Sequence, residues 1–389
     1  MGVCIVGWAH GRFGRHEDLD LEGLVTSVGS QAIEHAGVAP QDIDASWLGN
    51  LNGGFVPDNF CSSFILESDP ALRWKPSTRV ENACASGSAA VYAACDAIEA
   101  GRARVALVVG AEKMTAVSGD EVTRVLANAS YVREEASAGM TFPGIFAQMA
   151  RQYFSRYGDH RATLARIAAK NHRNGVRNPY AHVRKDLGFE FCNTVSDKNP
   201  VIADPLRKTD CSLVSDGAAA LVLADEKTAR SMRRAVRFRS RVQVNDWLPM
   251  SSRDASEFEG PRRAWSDALK AAGCRLQDLS LAEVHDCFTI AELLCYEAMG
   301  LADRGAGARV LDEGTVEPEG RLPVNVSGGL KAKGHPIGAT GVSMHALCAM
   351  QLTGEAGEMQ VRNPGLAGVF NMGGAAVANY VSVLEPLKA

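Results

Sequence analysis

A short segment of this chain occurs twice, and the repeat constrains the fold of its 389 residues more than any other feature. The first copy begins Ala36-Gly-Val-Ala-Pro-Gln-Asp-Ile, and the second begins Ala272-Gly-Cys-Arg-Leu-Gln-Asp-Leu. Each copy follows an amphipathic helical segment and leads into a strand-like run, so Gly37 and Gly273 are predicted to be helix C-caps. A duplicated core also suits a chain of this length, which exceeds one ordinary hydrophobic core.

The later parts of the two halves also follow one order: an approach strand, a glycine-rich corner, an alanine-rich helix and an apolar strand. The apolar strands are predicted at Arg104–Gly110 and at Gly368–Asn371. This alternation favours an α/β fold with mixed sheets, and we expect two similar halves packed sheet to sheet around shared central helices. The first half is predicted at 1–115 with 205–231, an inserted loop domain at 116–204, and the second half at 232–389.

Composition and charge exclude several classes of partner. The formal net charge of −4 and the pI near 6.2 give no overall attraction to nucleic acid or to anionic membranes. No run approaches the roughly 18 consecutive apolar residues of a membrane span, and the N-terminus lacks the basic start of a signal peptide. The ten cysteines contain no C-x-x-C pair, so we expect no bound metal and a reducing compartment, with the cytoplasm as the default.

Cys84 is the first candidate catalytic residue. It lies in Val80-Glu-Asn-Ala-Cys-Ala-Ser-Gly-Ser-Ala-Ala, where a strand-like approach gives way to an alanine-rich helical run. Unpaired backbone N–H groups and the positive end of the helix dipole surround a thiol at such a position, so we expect its thiolate to be stabilised. The alternative is a buried structural cysteine, but the small neighbouring residues would let a substrate approach closely.

His335 is the matching candidate base. It stands in Lys333-Gly-His-Pro-Ile-Gly-Ala-Thr-Gly, a glycine-rich turn that opens into a helix, with Pro336 suited to the first helical turn. A cysteine and a histidine that are distant in sequence but adjacent in space are typical of covalent acyl-transfer enzymes. An ordinary surface histidine is the alternative. A phosphate-binding loop fits poorly, because the lysines precede the glycine turn.

Two further segments carry candidate residues. Glu283-Val-His-Asp-Cys-Phe places His285 and Cys287 at a predicted strand end, where a hydrogen-bonded structural cluster is the alternative. One histidine and one cysteine there are too few for a zinc site without distant partners. Val369-Phe-Asn-Met-Gly-Gly ends an apolar strand in two glycines, and Gly373 is a candidate oxyanion donor through its backbone N–H.

The predicted insert contains a strongly basic run. His160–Lys185 holds seven Lys or Arg residues and no acidic residue. It is either a solvated amphipathic helix with its loop or a clamp for a phosphate-rich substrate, and composition alone leaves both interpretations open.

Together these segments resemble the thiolase family over essentially the whole chain, and His-Asp-Cys-Phe at 285–288 is similar to the sterol-carrier-protein-type branch. Asp204-Pro-Leu and Asp210-Cys-Ser-Leu-Val-Ser-Asp-Gly resemble the return of that branch from its loop domain to the first half. The chain departs from common thiolases at two positions: His285 replaces an asparagine, and Asn371 replaces a cysteine that acts as acid and base. The resemblance implies a layered αβαβα fold, a homodimer or dimer of dimers, and a role in lipid or fatty-acid metabolism.

The resemblance also implies a reaction: CoA-dependent cleavage of a 3-ketoacyl-CoA to acetyl-CoA and a shortened acyl-CoA, or the reverse Claisen condensation. It assigns Cys84 as the acylated nucleophile, His335 as its base, and Cys287 as the acid and base at the enolate carbon. His285 and Gly373 would help to hold the oxyanions.

Coenzyme A is then a co-substrate rather than a permanently bound cofactor. Ser212, Arg173 and Arg177 are its candidate contacts, the two arginines because CoA brings phosphates to the basic run.

Three alternatives stay open. A ketosynthase-like decarboxylating condensation uses a related fold, but the Gly-His-Pro motif speaks against it. A retro-aldol lyase acting on a CoA-linked side chain would not need Cys84. A non-catalytic acyl-CoA-binding subunit would bind CoA without forming an acyl-enzyme.

Overall fold

A computed structural model describes residues 2–387 of the chain. Its strands are β1 (Val3–His10), β2 (Ala45–Gly49), β3 (Ser77–Val80), β4 (Val105–Glu112), β5 (Val201–Ala203), β6 (Leu206–Arg207), β7 (Gly217–Asp225), β8 (Val236–Asn245), β9 (Leu281–Val284), β10 (Ala367–Gly373) and β11 (Ala378–Pro386). Its α-helices are α1 (Leu21–Ala36), α2 (Ser86–Glu99), α3 (Gly119–Ala127), α4 (Phe142–Tyr157), α5 (Arg161–Val176), α6 (Phe189–Asn193), α7 (Glu226–Ala229), α8 (Glu259–Ala272), α9 (Thr289–Ala298), α10 (Arg309–Asp312), α11 (Gly329–Lys333) and α12 (Ile337–Thr353). Short 3₁₀ turns connect many of them.

The main sheet has the strand order β3-β2-β4-β7-β1-β8-β11-β10-β9. Outward from the β1–β8 seam, β7, β4 and β2 correspond to β11, β10 and β9, and β3 is an additional edge strand of the first half. In the first half, β2 and β4 are parallel while β4 and β7 are antiparallel. In the second half, β9 and β10 are parallel while β10 and β11 are antiparallel. The predicted duplication is therefore confirmed by the topology.

The two half-sheets meet at a short seam. Pairing between β1 and β8 is confined to Cys4 with Arg237 and Ile5 with Val236. The sequence predicted only face-to-face packing of the sheets, and this edge-to-edge joint was missed because the repeat carries no information about how the two copies meet.

Helices α2 and α12 form the central layer of the fold. Helix α12 packs against α2, against β4 and β7 of the first half, and against β10 of the second half. Every residue of α12 except Thr353 is buried, which is typical of a helix covered on all sides. Helix α1 covers the first half-sheet and α8 covers the second, which completes the five layers.

Glycines let the two central helices approach closely. A Cβ atom added at Gly87 of α2 would lie 2.7 Å from the Gly338 carbonyl oxygen, and one added at Gly341 of α12 would lie 2.2 Å from the Ser88 nitrogen. Such distances leave no room for any side chain, so these glycines bring the N-terminal ends of the two helices together.

The outer helices end as the repeat predicted. Gly37 and Gly273 adopt left-handed backbone conformations, with φ of 67° and 60°, and their N–H groups bond to carbonyls of the last turns of α1 and α8. Between β4 and β7 lie α3 to α6 and the β5–β6 hairpin, which together cover one side of the second half. Within residues 2–387, no helix is both long and apolar enough to cross a bilayer.

Candidate active site

The nucleophile candidate sits on a tight corner between β3 and α2. Ala83, directly before Cys84, has a φ of 49°, a left-handed conformation that is unusual for a residue with a side chain. The Ser86 hydroxyl supports this corner, since it accepts from the Asn82 N–H at 2.9 Å and donates to the Ala83 carbonyl at 2.7 Å. The chain therefore holds Cys84 just ahead of the first turn of α2, as the sequence predicted.

The base candidate sits on the equivalent corner at the start of α12. The Thr340 hydroxyl donates to the Pro336 carbonyl at 3.0 Å and lies 2.7 Å from Nδ1 of His335. Because that hydroxyl has only one proton to donate, Nδ1 of His335 must donate to it. The other ring nitrogen, Nε2, is then an unprotonated acceptor and is suited to act as a base.

In His285 the ring proton lies on the other nitrogen, Nε2, because of a hydrogen bond from Asn371. The Asn371 amide nitrogen donates to the Cys84 carbonyl at 3.1 Å and to Nδ1 of His285 at 2.9 Å. The Cys84 carbonyl can only accept, so it fixes the orientation of the amide. His285 therefore carries its proton on Nε2, where it is a donor. The sequence identified Asn371 as a departure from the family pattern but assigned it no role.

These three side chains converge on one point. The Cys84 sulfur and one nitrogen each of His285 and His335 all lie within 4.8 Å of one another. The two imidazole rings meet edge to face with centroids 5.0 Å apart, and Nε2 of each is buried without a hydrogen-bond partner. A cavity of about 170 Å³ borders Cys84 and His335. The site thus presents a thiol and an acceptor toward this cavity, and the His285 donor is buried beside them.

Burial keeps all three groups neutral. Desolvation raises the pKa of Cys84 from 9.0 to about 12, although the N–H groups of Gly374 and of Cys84 itself act in the opposite direction. Desolvation and the nearby Lys333 charge lower the pKa of His335 to about 3. Burial, followed by the charges of His335 and Lys333, holds the pKa of His285 well below 6.5.

The prediction of a stabilised thiolate at rest is therefore wrong for the unliganded site. The helix terminus contributes as expected, but desolvation outweighs it because only 7% of Cys84 is exposed.

Of the remaining predicted residues, two border the same cavity. Cys287 and Ser212 both line it, and the Ser212 N–H donates to the Cys287 carbonyl at 2.9 Å. Burial, followed by the proximity of Cys84, raises the pKa of Cys287 well above 9.0. At the end of β10, Gly374 rather than Gly373 has the N–H that acts on the Cys84 sulfur. Gly373 lies at the same corner, close to the Asn82 carbonyl.

Arg173 and Arg177 are not brought to this cavity. Arg173 pairs with Glu317 at 2.5 Å, and Arg177 lies 3.8 Å from Glu319. The clamp interpretation counted only acids that are near in sequence, whereas the acids that neutralise these arginines come from the second half. The geometry therefore gives these two residues no part in the site.

Glu112 is a supporting residue that the sequence analysis missed. Its buried carboxylate accepts from the backbone N–H groups of Leu51, Asn52 and Gly338 at 2.9 to 3.0 Å. It thereby links the loop after β2 to the N-terminal turn of α12 and joins the two halves beside Cys84. Desolvation raises its pKa to about 7 despite these bonds. The sequence signal for this residue is a single glutamate at the end of an apolar strand.

Asp286 has a similar role between the catalytic segments. Its carboxylate accepts from the Leu330 N–H at 2.6 Å, the Lys331 N–H at 3.2 Å and the Asn171 amide at 2.8 Å. It thus connects the segment that carries His285 to α11, which leads into His335.

Comparison with known proteins identifies the family. The family described as "Thiolase, N-terminal domain" matches residues 3–227, and "Thiolase C-terminal domain-like" matches residues 243–386. The chain belongs to the thiolase family. An acetyl-CoA acetyltransferase of Methanothermobacter thermautotrophicus is 38% identical, over 98% of this chain and 99% of that protein. Sterol carrier protein 2 of Oryctolagus cuniculus is 31% identical, over 100% of this chain and 73% of that protein. These two relatives bear out the predicted branch of the thiolase family.

Solved structures confirm the layered thiolase fold. The structure titled "Ltp2-ChsH2(DUF35) aldolase" matches with a TM-score of 0.85 at 21% identity, over 99% of this chain and 98% of that chain. Human mitochondrial 3-ketoacyl-CoA thiolase in complex with CoA matches with a TM-score of 0.75 at 18% identity, over 100% of this chain and 98% of that chain. At these identities the likeness concerns the fold alone.

Proposed function

We propose that this thiolase-family acyltransferase works through an acyl-Cys84 intermediate. It cleaves a 3-ketoacyl-CoA with CoA to give acetyl-CoA and a shortened acyl-CoA, or catalyses the reverse condensation. One observation carries the proposal: the Cys84 sulfur lies within 4.8 Å of one nitrogen each of His335 and His285, and the hydrogen bonds of these rings leave an acceptor on His335 and a donor N–H on His285. Nucleophile, base and oxyanion donor are the three groups that acyl transfer requires.

The first half-reaction forms the acyl-enzyme. Nε2 of His335 takes the Cys84 proton as the sulfur attacks the 3-keto carbon. Backbone N–H groups of Cys84 and of the Gly373–Gly374 corner stabilise the tetrahedral oxyanion. Breaking the bond between the second and third carbons leaves an acetyl-CoA enolate and acyl-Cys84. The enolate oxygen accepts from His285 and from the newly protonated His335.

The second half-reaction releases the acyl group. Cys287 first gives its proton to the enolate carbon, which completes acetyl-CoA and leaves a thiolate. That thiolate takes the proton of an incoming CoA thiol, whose sulfur attacks the acyl-Cys84 thioester. Cys84 leaves as a thiolate and recovers its proton from His335, so every proton is returned. Ser212, on the rim of the cavity beside Cys287, is proposed to contact the pantetheine arm of CoA.

Several finer assignments belong to the same proposal. The segment 116–204 is proposed to act as the loop domain that covers the substrate. The protein is proposed to form a homodimer through the open edge of β3, which pairs on one side only and has the largely exposed Phe60 and Trp74 nearby. A cytoplasmic location is proposed because all ten cysteines are unpaired, as in a reducing compartment. Lipid metabolism is the proposed setting.

The decisive experiment is a panel of 3-ketoacyl-CoAs incubated with CoA and followed spectroscopically. Wild-type protein should consume at least one of them and should carry an acyl adduct on Cys84 by mass spectrometry. Cys84→Ala should form no adduct and should lose nearly all turnover. Cys287→Ala should accumulate acyl-enzyme, because its proton-transfer group is missing. Cys274→Ser, at a partly exposed thiol in the turn after α8, is the matched control and should behave as wild type.

The same panel distinguishes the proposed acyltransferase from the retro-aldol lyase and from the non-catalytic subunit. Turnover that survives Cys84→Ala would favour the retro-aldol lyase and would contradict the acyl-enzyme. CoA binding without any adduct or turnover would favour the non-catalytic subunit.

A further inference from the structure

The site contains three donor atoms of types that bind metal ions. Nε2 of His285 and Nε2 of His335 are both buried and lack hydrogen-bond partners, and the Cys84 sulfur lies within 4.8 Å of one nitrogen of each. His285 is fully buried and His335 is 7% exposed. Two imidazoles and one thiol this close together are the ligand types that zinc binds in proteins.

The donor types and spacing select the ion. Tetrahedral zinc places its nitrogen and sulfur ligands about 3.3–3.6 Å apart, so the present separations of up to 4.8 Å need inward shifts of about 1 Å. Thiolate and imidazole together favour zinc over magnesium or calcium, which prefer oxygen ligands.

We propose that Cys84, His285 and His335 form a site for a single zinc ion that binds reversibly and competes with acylation. The fourth position remains open to water or to the thiol of Cys287, which lines the same cavity. The ion occupies the nucleophile and the base together, so the metal-bound protein cannot attack a substrate. Metal binding is inferred from the donor cluster itself, whereas the competition with acylation rests on the proposed function.

Binding has a defined proton balance. A bond forms between the Cys84 sulfur and zinc while the thiol proton passes to the buffer. His335 already presents an unprotonated Nε2 and keeps its Nδ1 proton toward Thr340. His285 must move its proton from Nε2 to Nδ1, and the Asn371 amide must then turn its oxygen toward that proton.

The rotation of the amide breaks its bond to the Cys84 carbonyl. Asn371 therefore opposes metal binding, which makes the site a weak, reversible one rather than a structural zinc centre.

Cobalt(II) provides the test, because it occupies zinc sites and reports its ligands optically. Purified full-length protein is titrated with Co²⁺ in the absence of substrate. We expect one equivalent to produce the visible bands of four-coordinate cobalt and a near-ultraviolet sulfur-to-cobalt charge-transfer band. Added Zn²⁺ should abolish both bands, Mg²⁺ should leave them unchanged, and a chelator should restore turnover to the zinc-inhibited protein.

Variants locate the ligands. Cys84→Ala and the size-matched Cys84→Ser should each lose the charge-transfer band, and His285→Asn should bind cobalt at least about tenfold more weakly. Cys274→Ser is the control and should keep the full spectrum. Circular dichroism melts are recorded for each protein to establish that it is folded. A charge-transfer band that persists in both folded Cys84 variants would overturn the proposal. So would an affinity unchanged by His285→Asn, or the absence of stoichiometric binding.

Discussion

The corners before α2 and α12 occupy equivalent positions in the two halves, yet they carry opposite chemistry. Each precedes a central helix that leads into the middle strand of its half-sheet, β4 or β10. Each also places a residue with positive φ directly before its catalytic side chain: Ala83 with φ of 49° before Cys84, and Gly334 with φ of 108° before His335. The duplicated backbone thus supplies one geometry twice, with a thiol at one corner and an imidazole at the other.

The two corners differ in backbone strain. Gly334 adopts its conformation without strain, whereas Ala83 pays roughly 1–2 kcal/mol for a left-handed residue. Burial also shifts the pKa values at the two corners in opposite directions, since it raises the pKa of Cys84 and lowers that of His335. Both shifts favour the neutral form of the side chain.

The largest predicted effect concerns the base at the α12 corner. His335→Ala should lower kcat/KM by about 10³–10⁴-fold, because general-base catalysis of this kind contributes about 10²–10⁴-fold and His335 also serves the enolate oxygen. The rate of acyl-Cys84 formation, measured by quenched-flow mass spectrometry, checks it. His160, which is partly buried and does not border the cavity, provides a control in His160→Ala. Normal acylation in the His335 variant would refute the division of labour between the corners.

The next effect concerns the donor beside them. His285→Ala should lower kcat by about 10²–10³-fold, the usual cost of losing one oxyanion donor, with little change in the melting temperature. His285→Asn should recover part of this loss, because an amide can also donate to the enolate oxygen. Steady-state kinetics of all three proteins provide the measurement. Wild-type turnover in His285→Ala would remove His285 from the mechanism.

Exchanging the residues before the catalytic side chains sharpens the comparison further. Gly334→Ala should destabilise the fold by about 2 kcal/mol or more, because its φ is positive and its Cβ would lie 2.7 Å from the Ser215 hydroxyl. Ala83→Gly should stay within about 1 kcal/mol of wild type, since relieved strain offsets the added chain entropy. Urea denaturation measures both free energies of unfolding. Equal effects of the two substitutions would mean that the corners are not distinct in strain.

The corners should also lose stability at opposite ends of the pH scale. The His335 pKa is near 3 in the fold and 6.5 ordinarily, so its contribution is complete above pH 6.5 and is lost as pH falls toward 3. The Cys84 pKa is about 12 in the fold and 9.0 ordinarily, so its contribution is complete below pH 9 and is lost as pH rises toward 12.

Unfolding free energies at several pH values provide the measurement for these two windows. Between pH 7 and pH 5, His335→Gln should lose about 2 kcal/mol less than wild type. Cys84→Ala should instead reduce the loss of unfolding free energy only at alkaline pH. The buried histidines other than His285, whose pKa depends on His335, titrate equally in wild type and variants and cancel in the difference. Acid profiles that coincide would show that His335 is not held neutral by the fold.

The sequence predicted the parts of the molecule that local patterns determine. The repeat around Gly37 and Gly273 was sufficient for the duplicated topology, because helix caps and strand order are encoded within each copy. Cys84, His285 and His335 could be named because each stands at an element boundary within a recognisable motif. Their convergence within 4.8 Å agrees with the roles expected for them.

The parts that were missed depend on contacts between distant segments. The partners of Arg173 and Arg177 are Glu317 and Glu319, which no reading of the basic run could supply. The neutral state of Cys84 depends on burial by both halves, which outweighs the helix dipole that the local sequence revealed. The control of the His285 proton by Asn371 likewise needs two residues 86 positions apart.

The seam between the half-sheets has a consequence for how the protein fails. With only two residue pairs joining β1 to β8, the halves are held together chiefly by the interleaved central helices. A small slip of one half against the other would part the sulfur from the imidazole while both sheets stayed intact. We therefore expect turnover to decline before secondary structure when the protein is damaged.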